Sequence, residues 1–146
     1  MAVNTDVIGK TFPGATYAVG REKIREYAKV VGESNPLHFD VDSARAAGYD
    51  DVVAPPMFAV VYSLAAVWPV LFDEEIGIDF ARMVHGGQEF AWGPLVVAGD
   101  EITTTVSVKD VYERAGNGFF LFETVSRNGR DEAVSTGLWT NIVRAA

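Results

Sequence analysis

The chain has 146 residues, a length that fits one domain able to bury roughly two thirds of the surface its unfolded form exposes. It contains no cysteine, which excludes disulfides, thiolate metal sites and a cysteine nucleophile, and points to a cytoplasmic setting. A net charge of -8 argues against nucleic acid as a partner, because that binding rests on clustered Lys and Arg neutralising phosphates.

The opening stretch MAVNTDVIGKTF has no basic segment followed by an apolar run, so it does not read as a signal peptide. After a short strand, Ile24, Tyr27, Ala28 and Val31 recur at helical spacing, and Arg21, Lys23, Arg25, Glu26 and Lys29 cover the opposite face. The pattern predicts an amphipathic helix over 21–31, stopped by Gly32, and Ser34-Asn35-Pro36 then forces an irregular, extended stretch. A second short helix is predicted over 41–47, with Asp40 as its cap and Gly48 as its stop. Residues 52–72 are largely apolar. Pro55 and Pro56 near the start and Pro69 near the end break this run, leaving a helix too short for a bilayer, so no membrane partner is expected. It is apolar nearly all round, which predicts a buried helix wrapped by other structure.

The remainder is strand-like. Ile102, Thr104, Val106 and Val108 alternate with Thr103, Thr105, Ser107 and Lys109, the pattern of a sheet with one buried face. Further strands are predicted over 83–92, 119–126 and 133–143, separated by Gly- and Asn-rich turns, and Asn128-Gly129 predicts a tight hairpin. The order is short strand, helices, one long apolar helix, then an antiparallel meander, which makes the chain one α+β domain, 1–146, with a sheet around a central helix. Pattern alone also admits another α+β sandwich or a ligand-binding cone.

Residues 27–57, YAKVVGESNPLHFDVDSARAAGYDDVVAPPM, resemble the active-site segment of the MaoC-like (R)-specific enoyl-thioester hydratases and dehydratases. That family's pattern runs YA, Gly-Asp-x-Asn-Pro-hydrophobic-His, a Gly ten residues on, then Ala-His-Gly-Met. The opening VGREKIREYA, the stretch around Pro55 to Phe58, MVHGGQEF and the turn VVAGDEI resemble its FAS1-like dehydratase N-terminal branch. That branch includes the non-catalytic subunits of actinobacterial (3R)-hydroxyacyl-carrier-protein dehydratases. The resemblance implies a hot-dog fold and reversible syn addition of water across a trans-2-enoyl thioester carried by coenzyme A or an acyl-carrier protein. It also implies a homodimer, or a heterodimer with a catalytic MaoC-like subunit, and chemistry that needs no metal or redox cofactor.

Position by position, Gly32, Asn35, Pro36 and His38 stand where the family has the same residues. Two positions depart. The family's catalytic Asp is Glu33, which keeps the carboxylate on a longer arm. The family's Gly, whose backbone N–H polarises the thioester carbonyl, is Pro56, and proline has no N–H to give. The expected catalytic pair is therefore Glu33 and His38. The expected substrate contacts are Asn35, Pro56, Met57, Phe58, Tyr62, His85 and Gln88. Three functions remain open: a substrate-binding subunit of a dehydratase, a self-sufficient homodimeric hydratase using Glu33 and His38, and a binding module that holds acyl thioesters without turnover. A thioesterase on the same fold is disfavoured by the Asn-Pro-Leu-His segment.

Overall fold

A computed structural model of the chain describes residues 2–146. Five antiparallel strands form one sheet: β1 (Thr11–Ala18), β2 (Met83–Trp92), β3 (Glu101–Arg114), β4 (Asn117–Arg127) and β5 (Ala133–Val143). Three α-helices precede β2: α1 (Arg21–Val30), α2 (Val41–Ala46) and α3 (Ala59–Leu71), the last entered through a 3-10 turn at Pro56–Phe58. The predicted elements all form, and the sheet wraps α3 as the resemblance implies.

The predicted antiparallel meander is formed by the three long strands β3, β4 and β5. The sheet order is β1-β3-β4-β5-β2, so β2 pairs with β5 at one edge and β1 with β3 at the other. The segment after β2 explains the separation. Instead of turning back beside β2, residues 93–100 run against the stretch before α3. Ala54 N–H donates to Val96 O at 2.8 Å, and Ala98 N–H to Val52 O at 3.0 Å.

α3 bridges two halves of the core. Its entry turn and first turn place Phe58, Ala59 and Tyr62 against Ile24, Val52, Ile102 and Val134. Its last turns set Val67, Val70 and Leu71 against Val106, Phe120, Phe122 and Trp139. Fully burying a side chain the size of Phe58 is worth about 1.5–3 kcal/mol.

Three local expectations need correction. Pro69 does not end α3, which runs on to Leu71; near a helix C-terminus its missing N–H costs one bond of the last turn. Nor is α3 wrapped all round, because Leu64 and Trp68 are exposed, and Trp68 packs with the exposed Phe72 and Phe80 at ring separations of 5.3 and 5.8 Å. Asn128-Gly129 is not a two-residue hairpin. Asn128 Oδ1 accepts from the N–H groups of Arg130 and Glu132, closing a wider loop whose left-handed residue is Asp131. The two-residue turn is Ala115-Gly116, where φ is 51° and 80° and Arg114 pairs with Asn117.

Candidate active site

Glu33 and His38 come together at the end of α1. Gly32 takes φ +78°, the left-handed conformation that terminates a helix, and Glu33 N–H folds back to Ala28 O at 2.9 Å. The chain then enters a 3-10 turn over Pro36–His38. Asn35 caps it by accepting from Leu37 N–H at 3.0 Å, and Pro36 supplies a preset φ. Asn35 therefore shapes the turn that carries His38.

The His38 side chain is 11% exposed, and its Nδ1 lies 2.6 Å from Val53 O. A carbonyl only accepts, so Nδ1 carries the proton and donates it. The neutral ring then has its lone pair on Nε2. Glu33 Oε2 lies 3.8 Å from that nitrogen, and the Glu33 side chain is 37% exposed. The separation is too long for a direct hydrogen bond and suits one water held between the two.

Val53 leads directly to the second part of the site. Ala54, Pro55 and Pro56 border an apolar pocket of about 360 Å³, completed by Ala59 and Tyr62 of α3 and by Trp92, Leu95 and Val134. Tyr62 Oη donates to Ser135 Oγ at 2.8 Å, and Trp92 Nε1–H donates to Pro56 O at 2.9 Å. Burial pushes the Tyr62 phenol pKa up, so it stays protonated at neutral pH. Pro56 occupies the first position of the helical turn and offers no N–H. The first N–H of that turn belongs to Met57, which is 42% exposed and finds no acceptor among the described residues.

The other expected contacts lie elsewhere. Phe58 is fully buried, boxed by the rings of Tyr17, Tyr27 and Tyr62 at 5.5–6.4 Å. His85 and Gln88 stand on β2, at the sheet edge. A bulge at Gly86 turns both toward the face that holds Trp139 and Asn141, and the His85 ring stacks on Trp139 at 5.4 Å. Both polar atoms of the Gln88 amide are buried without a hydrogen-bond partner among the described residues, and so is Asn141 Nδ2. Trp92 and Ser135 were not readable as site residues. A lone Trp at the end of a strand and a Ser within one carry no motif, and only the fold brings them to Pro56 and Tyr62.

Comparison with known proteins places the chain in a family. The FAS1-like, dehydratase domain region matches residues 6–136. The chain belongs to that family. It is 43% identical over 145 residues to a UPF0336 protein of Clavibacter michiganensis subsp. michiganensis, covering 99% of this chain and 97% of the relative. Among solved structures it is similar to the C-terminally truncated HadBC (3R-hydroxyacyl-ACP dehydratase) complex of Mycobacterium tuberculosis. That match has a TM-score of 0.80 and 28% identity, over 94% of this chain and 98% of the other. A MaoC-like dehydratase gives a TM-score of 0.85 at 28% identity, over 96% of this chain and 43% of that longer one. The fold of this FAS1-like dehydratase chain is thus the hot-dog fold, in the α+β class. No helix among the described residues is long and apolar enough to cross a membrane.

Proposed function

We propose that this chain is the substrate-binding component of a (3R)-hydroxyacyl-thioester dehydratase, equally an enoyl-thioester hydratase, acting on acyl chains carried by coenzyme A or an acyl-carrier protein. It works beside a catalytic MaoC-like subunit that supplies a complete Asp/His pair. The observation that carries this is Pro56. In addition of water to the enoyl thioester, hydroxide joins C3, a proton joins C2, and negative charge gathers on the thioester oxygen in between. A backbone N–H at the helix start would hold that charge, and the helical turn here begins on a residue that has none. Losing one such donor costs about 3 kcal/mol, a hundredfold or more in rate.

Three further features support a paired assembly. β2 is a sheet edge with one side unpaired, and unpaired edges are templates for another strand. Beside it lie the exposed rings of Trp68, Phe72 and Phe80, an apolar patch of the kind that marks an interaction surface. The unsatisfied Gln88 amide on β2 is a polar group waiting for a partner or ligand atom. The similar HadBC structure is itself a complex of a (3R)-hydroxyacyl-ACP dehydratase.

A second reading is a self-sufficient homodimeric hydratase, favoured by the 3.8 Å approach of Glu33 to an Nε2 whose lone pair is free. There, Nε2 and the carboxylate share the attacking water, and Met57 N–H replaces the missing donor. Absorbance at the enoyl-thioester band after adding crotonyl- and octenoyl-coenzyme A separates the two. The subunit reading expects the band to persist with the chain alone and to decay when a catalytic MaoC-like subunit is added. Decay with the chain alone, abolished in Glu33→Gln and His38→Ala, establishes the homodimer instead.

A further inference from the structure

We infer that the apolar pocket beside Pro56 is a blind acyl-chain site whose depth is set by Tyr62, so that the protein takes short and medium acyl tails and refuses long ones. The inference rests on the acyl-thioester reading above and narrows it to a substrate class.

The pocket has a mouth and a floor. Pro56, Trp92 and Leu95 are exposed and form the mouth, whereas Ala54, Ala59, Tyr62, Val96 and Val134 are all buried. An open tunnel would need accessible residues at both ends, and here every deep wall is closed. The Tyr62 hydroxyl is held by Ser135, itself 2% exposed. That bond fixes the phenol ring as an end wall and leaves Tyr62 unable to swing aside without stranding a buried hydroxyl.

The same geometry decides what the pocket takes. Its two side chains with polar hydrogens both spend them on the protein, Tyr62 on Ser135 and Trp92 on Pro56 O. What remains facing the space is apolar, which suits a hydrocarbon tail and offers little to a sugar, a base or an anion. Orientation follows from chain connectivity. Pro56, at the exposed mouth, opens the helical turn and Tyr62 lies buried one turn further along α3, so the thioester lies by Pro56 and the tail points inward toward Tyr62. A space of about 360 Å³ holds on the order of ten methylene-sized groups if each takes about the ~30 Å³ share of a liquid water molecule. An octanoyl tail fits within that number and a hexadecanoyl tail does not.

The test is isothermal titration of the full chain with butyryl-, octanoyl- and hexadecanoyl-coenzyme A, which are saturated and therefore cannot be hydrated. Octanoyl-coenzyme A should bind at least tenfold more tightly than hexadecanoyl-coenzyme A. Tyr62→Ala should shrink that gap to threefold or less by opening the floor, while Tyr62→Phe, which keeps the ring, should preserve it. Ala59→Leu fills the floor from the helix side; it should weaken octanoyl binding at least tenfold and leave butyryl binding within threefold, and it carries the test if Tyr62→Ala fails to fold. Equal affinity for octanoyl and hexadecanoyl thioesters, no binding of any of the three, or an unchanged profile in folded variants overturns the inference. Failure of the dehydratase reading is a separate result: it abolishes turnover with and without a partner and leaves these affinities in place.

Discussion

His38 Nδ1 donates its proton to Val53 O at 2.6 Å, and Val53 N–H donates to the O of the neighbouring Leu37 at 2.8 Å, so Val53 is tied twice to the turn that carries His38. The clamp fixes the ring and its tautomer, and it ties the His38 turn to the strand-like segment that opens onto the acyl pocket. Replacing His38 by Ala removes one half of the clamp and leaves Val53 O buried without its donor. The expected cost is about 1–3 kcal/mol, read as a fall in melting temperature of about 2–12 °C for a chain of this size. His38→Asn, able to donate to the same carbonyl, should recover part of it. A melting temperature unchanged in His38→Ala would show that the clamp contributes nothing to stability.

Pro56→Gly restores a backbone N–H at the start of the helical turn. If the missing donor is what limits the chain, hydration of crotonyl-coenzyme A by the variant alone should rise by about tenfold to a hundredfold over wild type. The substitution also frees the unfolded chain, with an expected stability loss of about 1 kcal/mol. A rate that does not move would mean that Met57 N–H, or a donor on a partner, already fills the role.

Asp51 governs how the pocket-lining segment responds to acid. Its carboxylate accepts from Arg21 at 2.7 and 2.9 Å and from Val52 N–H at 2.8 Å, anchoring the start of 52–56 to α1. Hydrogen bonding to the Arg21 guanidinium holds its pKa at about 2, below the ordinary 3.8. A carboxylate depressed on folding stabilises the fold above its unfolded pKa, so this contribution is present above about pH 4 and is lost as pH falls toward 2. Arg21→Ala should therefore lower stability at pH 7, and the difference from wild type should shrink between pH 4 and 2. A difference independent of pH in thermal melts across that window would contradict the assignment.

Gly93 sits at the mouth of the pocket, where a Cβ would come within 2.1 Å of Ala133 O, a backbone atom that cannot swing away. Gly93→Ala should cost about 2 kcal/mol or more and displace the Trp92 loop, weakening acyl-thioester binding together with stability. Thermal melts and titration on one preparation check both effects, and a variant as stable as wild type would show that the backbone yields there at no cost.

Much of this architecture was legible before the fold was known. The bounds of β2 and β5 and of α1 follow from turn residues and apolar spacing, and the Asn35-Pro36-Leu37-His38 stretch marks the pair of Glu33 and His38 by resemblance. Local signals ran out where pairing is decided at a distance. Periodicity states that 83–92 is a strand; it does not state that β2 joins β5, since that depends on where residues 93–100 can hydrogen-bond. Trp92 meets Pro56 across 36 positions and Tyr62 meets Ser135 across 73, separations for which no sequence spacing gives a cue. The exposed side of α3 was missed because hydrophobicity reports what a helix can bury, and Trp68 and Phe72 face outward beside Phe80.

The central claim is that this chain binds substrate while another subunit performs the chemistry. Its most direct test is the rate of octenoyl-coenzyme A hydration by a mixed complex with a catalytic MaoC-like subunit, in which the active-site His is replaced by Ala on one chain at a time. The account predicts that His38→Ala in this chain leaves the rate within about threefold, whereas the same replacement in the partner lowers it by a factor of about 10²–10⁴, the loss expected for an acid-base group. A loss of that size from His38→Ala in this chain, with the partner's His dispensable, would place the chemistry here and contradict the account.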